Sequence, residues 1–213
     1  MTGVAGRPRI HVHLSREAIA QAALGLVDRR GLEALTVRSL ARELGVGTAT
    51  LYGHVQSKDE VVLDIVALLF TEVDSDPRPG EGWDDWLRRV AITAREMALR
   101  HPRAFPLFAT APDDQPPVLD VARSYMQVTC ACGVAEEQAL TAWQLVGGYL
   151  TGFLLQEAAE KVRALAAPAS PAAEAKPSDA LRERMARVHS AEAFATGLEA
   201  LLAGLRQLEG MPA

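Results

Sequence analysis

The sequence predicts an all-α protein in two unequal parts, a short N-terminal three-helix unit and a larger helical body. Three observations predict it. Apolar residues recur at helical spacing through nearly the whole chain, with no strand-like alternation and no internal repeat. Aromatics are 5% of the residues, while Ala and Leu dominate a hydrophobic content of 49%, ample for a helical core. Clusters such as Asp76-Pro77-Arg78-Pro79-Gly80 punctuate the periodic segments. At 213 residues, one or two domains are expected on a scale of ~150 residues each.

Residues 1–14 read as a disordered arm. They lack the apolar stretch of a signal peptide, and His11 and His13 are expected to be solvated rather than metal-bound. Leu14-Ser15 caps a helix to Arg30 with the stripe Ile19, Ala23, Leu26, Val27. Thr36 caps a second, whose inner face is Leu40, Ala41 and Leu44. Gly45 supplies the backbone freedom a helix stop needs, and Val46 plugs the turn. Thr48 opens a short helix with Leu51 and Val55 facing inward. Ser57 and Glu60 form a capping box for a helix over 58–74, apolar on most of its circumference (Val61, Val62, Ile65, Val66, Leu68, Leu69, Phe70) and so covered on several sides as a connector would be. The functional boundary falls near residue 60, giving a unit over 15–60 and a body over 61–213. In the body, helices are expected from Trp83 to Arg100, from Pro116-Pro117 to Cys132, and from Glu136 to Val162. An irregular stretch separates the first two. The Ala/Pro/Ser-rich 164–178 reads as a mobile connection. Helices over 179–188 and 191–208 close the chain, the last with the stripe Phe194, Leu198, Leu201, Leu202, Leu205.

Two short helices around a glycine turn form the helix-turn-helix arrangement, whose second helix enters the DNA major groove. The outward residues of that helix, Thr48, Ala49, Thr50, Tyr52, Gly53 and His54, are small or hydrogen-bonding, and none is acidic. The net charge of −5 divides to match: residues 1–60 carry eight Lys/Arg against six Asp/Glu, the remainder fourteen against twenty-one. An acidic body repelled by phosphate favours one docking orientation.

Here the sequence resembles the TetR family of bacterial transcription regulators. The residues that carry the likeness are Leu35-Thr36-Val37-Arg38, Leu40-Ala41, Leu44-Gly45-Val46, Thr50-Leu51-Tyr52, His54-Val55 and Lys58, within about residues 14–68. More loosely, Gly82-Trp83-Asp84-Asp85-Trp86-Leu87-Arg88 and Val146-Gly147-Gly148-Tyr149 look like the subgroup that contains the tetracycline repressors. The resemblance implies a homodimer on a near-palindromic double-stranded operator, released by a small organic effector. Thr36, Arg38, Tyr52 and Lys58 would contact phosphates, and Thr48, Ala49, Thr50 and His54 would face bases, with Arg38 in reach of a guanine. Val37, Gly47 and Gly53 complete that surface. The body would hold the effector among Trp86, Ile92, Met97, His101, Phe105, Phe108, Tyr125, Met126, Thr129, Trp143 and Tyr149, a largely apolar set in which each residue taken alone also reads as core. His101 is equally readable as a helix-end histidine that favours the dipole. The long helix and the last one would pair with their copies in a four-helix bundle through Gly148, Gly152, Leu155, Phe194, Leu198, Leu201, Leu202 and Leu205, faces that would be ordinary core in a monomer. In the tetracycline-repressor subgroup a histidine and a long-helix carboxylate hold a magnesium-bound drug. Leu107 and Gln156 stand at those places here, and Gly148 where a second histidine would be, although Glu157 lies one residue away. No metal or other cofactor is therefore expected.

Enzyme signatures are missing. Gly45-x-Gly47 lacks a third glycine and follows no strand, and there is no phosphate loop, nucleophile elbow or zinc-protease histidine pair. Cys130 and Cys132, two apart on a helix, point to opposite sides and share neither a disulfide nor a metal. The run 145–155 is too short to span a membrane, so no membrane partner and a cytoplasmic location are expected. The competing reading is a helical ligand- or protein-binding module with a vestigial DNA-reading unit.

Overall fold

The structure, a computed structural model, describes residues 14–166 and 190–208. The arm before Leu14, most of the 164–178 connection and the helix expected over 179–188 lie outside the described residues. Among the described residues the chain forms helices and one 3-10 turn, and no strand.

The N-terminal unit is built by its caps. Ser15 Oγ accepts the Ala18 N–H at 3.1 Å and starts α1, Arg16–Arg30, which stops at Gly31 with φ 83°. After the 3-10 turn Leu32–Ala34, a capping box between Thr36 and Ser39 opens α2, Val37–Leu44. Gly45 adopts the left-handed conformation at φ 67°, so Val46 N–H reaches Ala41 O at 3.0 Å and Gly45 N–H reaches Arg42 O at 3.2 Å. These are the paired bonds of a Schellman stop. Then α3 runs Thr48–Tyr52 and α4 runs Lys58–Thr71. Ser57 caps α4 as expected, but Glu60 reaches one residue further back than a capping box requires, accepting the Gln56 N–H at 2.7 Å. Ile19, Leu26, Val27, Leu40, Leu51, Val55, Val61 and Ile65 are the buried core that fixes these helices together.

The body contains α5 (Trp83–Arg100), α6 (Phe105–Ala109), α7 (Pro116–Ala131), α8 (Glu136–Ala166) and α9 (Ala191–Leu205). Three bounds differ from expectation. α4 ends at Thr71 rather than 74, because Glu72 and Val73 tighten to i−3 bonds on Leu69 and Phe70. α8 runs four residues past Val162, through the good helix formers Ala164, Leu165 and Ala166. A helical turn, α6, stands in the stretch expected to be irregular, with Pro106 in its first turn, where a proline removes no helical hydrogen bond. The stop between α7 and α8 repeats the one after α2: Gly133 has φ 75°, Val134 N–H bonds Thr129 O at 3.0 Å, and Gly133 N–H bonds Cys130 O at 3.0 Å.

Charged side chains lock the loop between α4 and α5. Arg89 bonds Asp74, Glu81 at 2.7 Å and the Asp76 carbonyl at 2.9 Å, and Trp86 Nε1 donates to Ser75 O at 3.1 Å. Hydrogen bonds to Arg89 hold the Glu81 carboxyl below its usual range. α9 is clipped to α5 by Arg88 with Glu199 and Arg206 with Asp84, and to α8 by Tyr149, whose hydroxyl donates to Phe194 O at 2.8 Å.

Candidate functional site

α2 and α3 present one exposed surface. Leu51 and Val55 turn fully inward, which forces Gly47, Thr48, Ala49, Thr50, Tyr52, Gly53 and His54 outward. Tyr52 is 57% exposed, a large aromatic that core packing leaves out. Thr36, Arg38 and Lys58 are exposed beside it, and Val37 is half-buried at the base. Lys58 Nζ lies 3.4 Å from Leu32 O, which steadies the ammonium beside the first turn of α4. Every residue expected at the DNA surface is thus exposed except Val37, which is half-buried.

Within the body lies an apolar cavity of about 150 Å3. α5 contributes Trp86, Leu87, Val90 and Ala94; α6 contributes Phe105 and Phe108; α7 contributes Val118 and Val121. Trp143, Val146, Gly147, Leu150, Thr151 and Leu154 come from α8, and among these wall residues Thr151 carries the only side-chain oxygen. The remaining wall is Phe70 and Val73, at and just past the end of α4. Phe70 and Phe108 have ring centroids 4.3 Å apart, so α4 and α6 share an aromatic contact at the cavity edge.

Four of the expected pocket residues line this cavity: Trp86, Phe105, Phe108 and Trp143. The other seven do not. Ile92 is 50% exposed on the opposite side of α5, and Met97 is fully buried core. Thr129 bonds back to Tyr125 O at 2.9 Å, Met126 is half-buried against the core, and Tyr149 packs on Phe153 and Phe194. Tyr125 is buried one layer behind the wall, with its ring 5.4 Å from both Trp86 and Trp143. His101 is neither a ligand contact nor a simple helix-end residue. Its two ring nitrogens meet Asp28 Oδ2 at 2.7 Å and Glu72 Oε1 at 2.9 Å. Arg103 adds a bond to the Asp28 carbonyl at 2.8 Å, and Arg100 pairs with Glu72. A charged knot therefore joins α1, the end of α4 and the end of α5.

Residue chemistry is a poor guide to this pocket. It selects aromatic, Met and polar residues, whereas most of the wall is aliphatic. The missing signal is helical phase: Leu87, Val90 and Ala94 follow Trp86 down one face, and Val146, Leu150 and Leu154 follow Trp143.

The expected dimer residues divide in the same way. Phe194, Leu198, Leu202 and Leu205 are buried inside the protomer, packing α9 on its own body. They are corrected to core residues, because a side chain fully covered within one chain has no surface left for a second. Gly148 and Gly152 are exposed, and a Cβ on either would meet nothing within 4 Å. With Leu145 and half-buried Leu155 they form one stripe along α8, and Leu201 on α9 is half-buried against the core.

Comparisons with known proteins match both halves. Residues 19–65 match the family described as bacterial regulatory proteins, tetR family, and residues 76–208 match the tetracyclin repressor-like C-terminal domain. The tetracycline repressor protein class D of Escherichia coli is 30% identical over 198 residues, covering 90% of this chain and 88% of that one. An HTH-type transcriptional regulator of Saccharopolyspora erythraea is 31% identical over 144 residues, 68% of this chain and 61% of that one. Among solved structures, TetR from Acinetobacter baumannii AYE superposes with a TM-score of 0.73 at 26% identity, covering 91% of this chain and 97% of that one. ActR of Streptomyces coelicolor in complex with actinorhodin does so with a TM-score of 0.68 at 27% identity, covering 91% and 96%. With a helix-turn-helix face at one end and a tetracycline-repressor-like body behind it, the chain belongs to the TetR family of ligand-responsive, DNA-binding transcriptional repressors.

Proposed function

We propose that this repressor leaves a near-palindromic operator when an uncharged, largely apolar organic molecule enters the body cavity without a metal. The observation that carries the reading is that Phe70 and Val73, at the end of the helix whose first turn flanks the reading face, are also cavity wall. The cavity holds about 150 Å3, whereas pockets for drug-sized ligands measure roughly 300–1,000 Å3, so such a ligand has to displace wall residues. Displacement at Phe70 moves α4, and α4 sets the position of α3 through Val55, Val61 and Leu51. The ligand acts by differential affinity for the form whose two reading helices no longer match successive major grooves. A coupling of about 1–3 kcal/mol is typical. In this reading Arg38, Tyr52 and Lys58 hold phosphates, and Thr48, Thr50 and His54 read base edges.

The metal-free part rests on the groups that stand where the subgroup holds magnesium. Leu107 has no donor. Glu157, the nearby long-helix carboxylate, is buried at 7% exposure and bonded by both oxygens to Arg95, with Nε at 2.9 Å. The residues do not fit a magnesium ion, which needs several hard oxygen donors in octahedral arrangement. Among the described residues no three His, Cys, Asp or Glu side chains form a metal-binding group. The protein acts on DNA in the cytoplasm and performs no catalysis in this reading; among the described residues no helix is long and apolar enough to cross a membrane.

The test is a gel shift on the promoter beside the protein's own gene, followed by a ligand screen scored by release from that DNA. Ala94→Leu fills the cavity from α5. It should keep operator affinity and abolish release by any ligand the wild type answers to. A chain that binds no DNA at its own promoter or elsewhere is a ligand- or protein-binding module instead.

A further inference from the structure

Tyr125 is the one large side chain near the cavity whose polar end has no explanation in the fold. It is 1% exposed, and its hydroxyl is sealed from solvent with no hydrogen-bond partner among the described residues. Burial pushes its phenol well above the usual range, so the group is a neutral O–H at any physiological pH. A buried hydroxyl left unpaired costs more than the same ring without it, and native interiors seldom keep one. The neighbouring buried polar groups are paired: Thr129 Oγ1 with Tyr125 O, Tyr149 with Phe194 O, Trp86 Nε1 with Ser75 O. Helical phase places Tyr125 one turn beyond Val121 and two beyond Val118, both on the cavity wall. Its ring packs 5.4 Å from Trp86 and 5.4 Å from Trp143, the two largest wall residues.

On top of the effector reading above, we propose that the Tyr125 hydroxyl, one layer behind the wall beside Trp86 and Trp143, is the polar anchor of the effector, donating to an oxygen acceptor on a planar, otherwise apolar ring system. The wall itself offers a single hydroxyl, Thr151 on α8, so a second donor from α7 fixes the ligand's orientation across the cavity. Aliphatic and aromatic side chains fill the rest, which admits ring carbons and excludes charge. The unpaired hydroxyl destabilises the free protein, and ligand binding relieves it.

The probes are 1-tetralone and tetralin, which share a ring skeleton and differ by one carbonyl, titrated calorimetrically into the full chain and into Tyr125→Phe. The wild type should favour the ketone relative to Tyr125→Phe by about tenfold, with tetralin binding both proteins alike. The free Tyr125→Phe protein should melt at or above the wild-type temperature, since the change removes an unpaired group and keeps the ring. Binding of both probes with the same ketone preference in the two proteins overturns the anchor and leaves the cavity reading standing. A Tyr125→Phe protein that melts several degrees lower marks a hydroxyl satisfied within the fold, and also overturns it. If neither probe binds the wild type at millimolar concentration, the cavity reading fails and the anchor with it.

Discussion

His101 and Asp28 meet at 2.7 Å across the border between the DNA-reading unit and the body. The other ring nitrogen holds Glu72, so one imidazole between two carboxylates ties α1 to the ends of α4 and α5. The bond to Asp28, joined by the charges of Asp28 and Glu72, raises the His101 pKa above 6.5 against the opposing effect of burial. Arg100 on Glu72 and Arg103 on the Asp28 carbonyl complete the charged groups facing it.

The sign of the pH effect follows. A histidine whose folded pKa is raised adds stability that is full below pH 6.5, the unfolded value, and is lost as pH rises through the folded value. Thermal melts of the wild type and His101→Asn across about pH 5.5–9 should therefore differ most at the acid end and converge toward the alkaline end. A constant difference at all pH values would show that the knot holds by packing alone.

Lys58→Ala should weaken binding to every DNA sequence alike and lower the salt slope by about one unit, because it removes one phosphate partner. Thr48→Ala and His54→Ala should change preference among operators by roughly 1–3 kcal/mol for each base-edge interaction removed. Fluorescence anisotropy at several salt concentrations separates the two behaviours. Wild-type affinity in both Tyr52→Ala and Lys58→Ala would place the DNA surface elsewhere.

Gly152→Glu puts a charge in the middle of the exposed α8 stripe, where a Cβ has open space. It should yield a folded monomer by sedimentation velocity, with helical circular dichroism retained. Leu202→Glu, by contrast, buries an unpaired charge inside the protomer and should unfold it. A wild-type dimer from Gly152→Glu would move the subunit interface off this stripe.

Glu157→Gln leaves Arg95 partly buried without its partner and should cost up to about 3 kcal/mol, the low end for breaking a buried pair. Arg95 also lies 5.6 Å from the Phe194 ring centroid, so α9 should loosen with it. Tetracycline binding that is tight by calorimetry and vanishes with a metal chelator would contradict the metal-free reading.

The N-terminal unit is legible in the sequence almost residue by residue. Ser15, Thr36, Gly45 and Ser57 act through short-range hydrogen bonds and backbone conformation, which sequence carries locally. Leu51 and Val55 then dictate what faces outward. The body is legible as helices but not as a site. Whether Leu198 faces a partner or the core of its own protomer depends on tertiary packing, which a wide apolar stripe does not encode. His101 shows the same limit: its partners Asp28 and Glu72 lie 73 and 29 residues away, and nothing near residue 101 announces them.

In the proposed mechanism Phe70 and Val73, at the end of α4, are the part of the cavity wall that transmits to the DNA-reading unit, while α5, α6, α7 and α8 supply the rest. In that mechanism Phe70 and Val73 belong to the output arm of the sensor, so substitutions there should alter operator occupancy before any ligand arrives. Val90, Val118, Val121 and Leu150 are held by helices with no part in DNA contact. Evolution and engineering alike should then be able to recut the chemical taste of this repressor at those four residues while its basal setting stays fixed. New specificities should accumulate on α5, α7 and α8, and the tip of α4 should tolerate few changes.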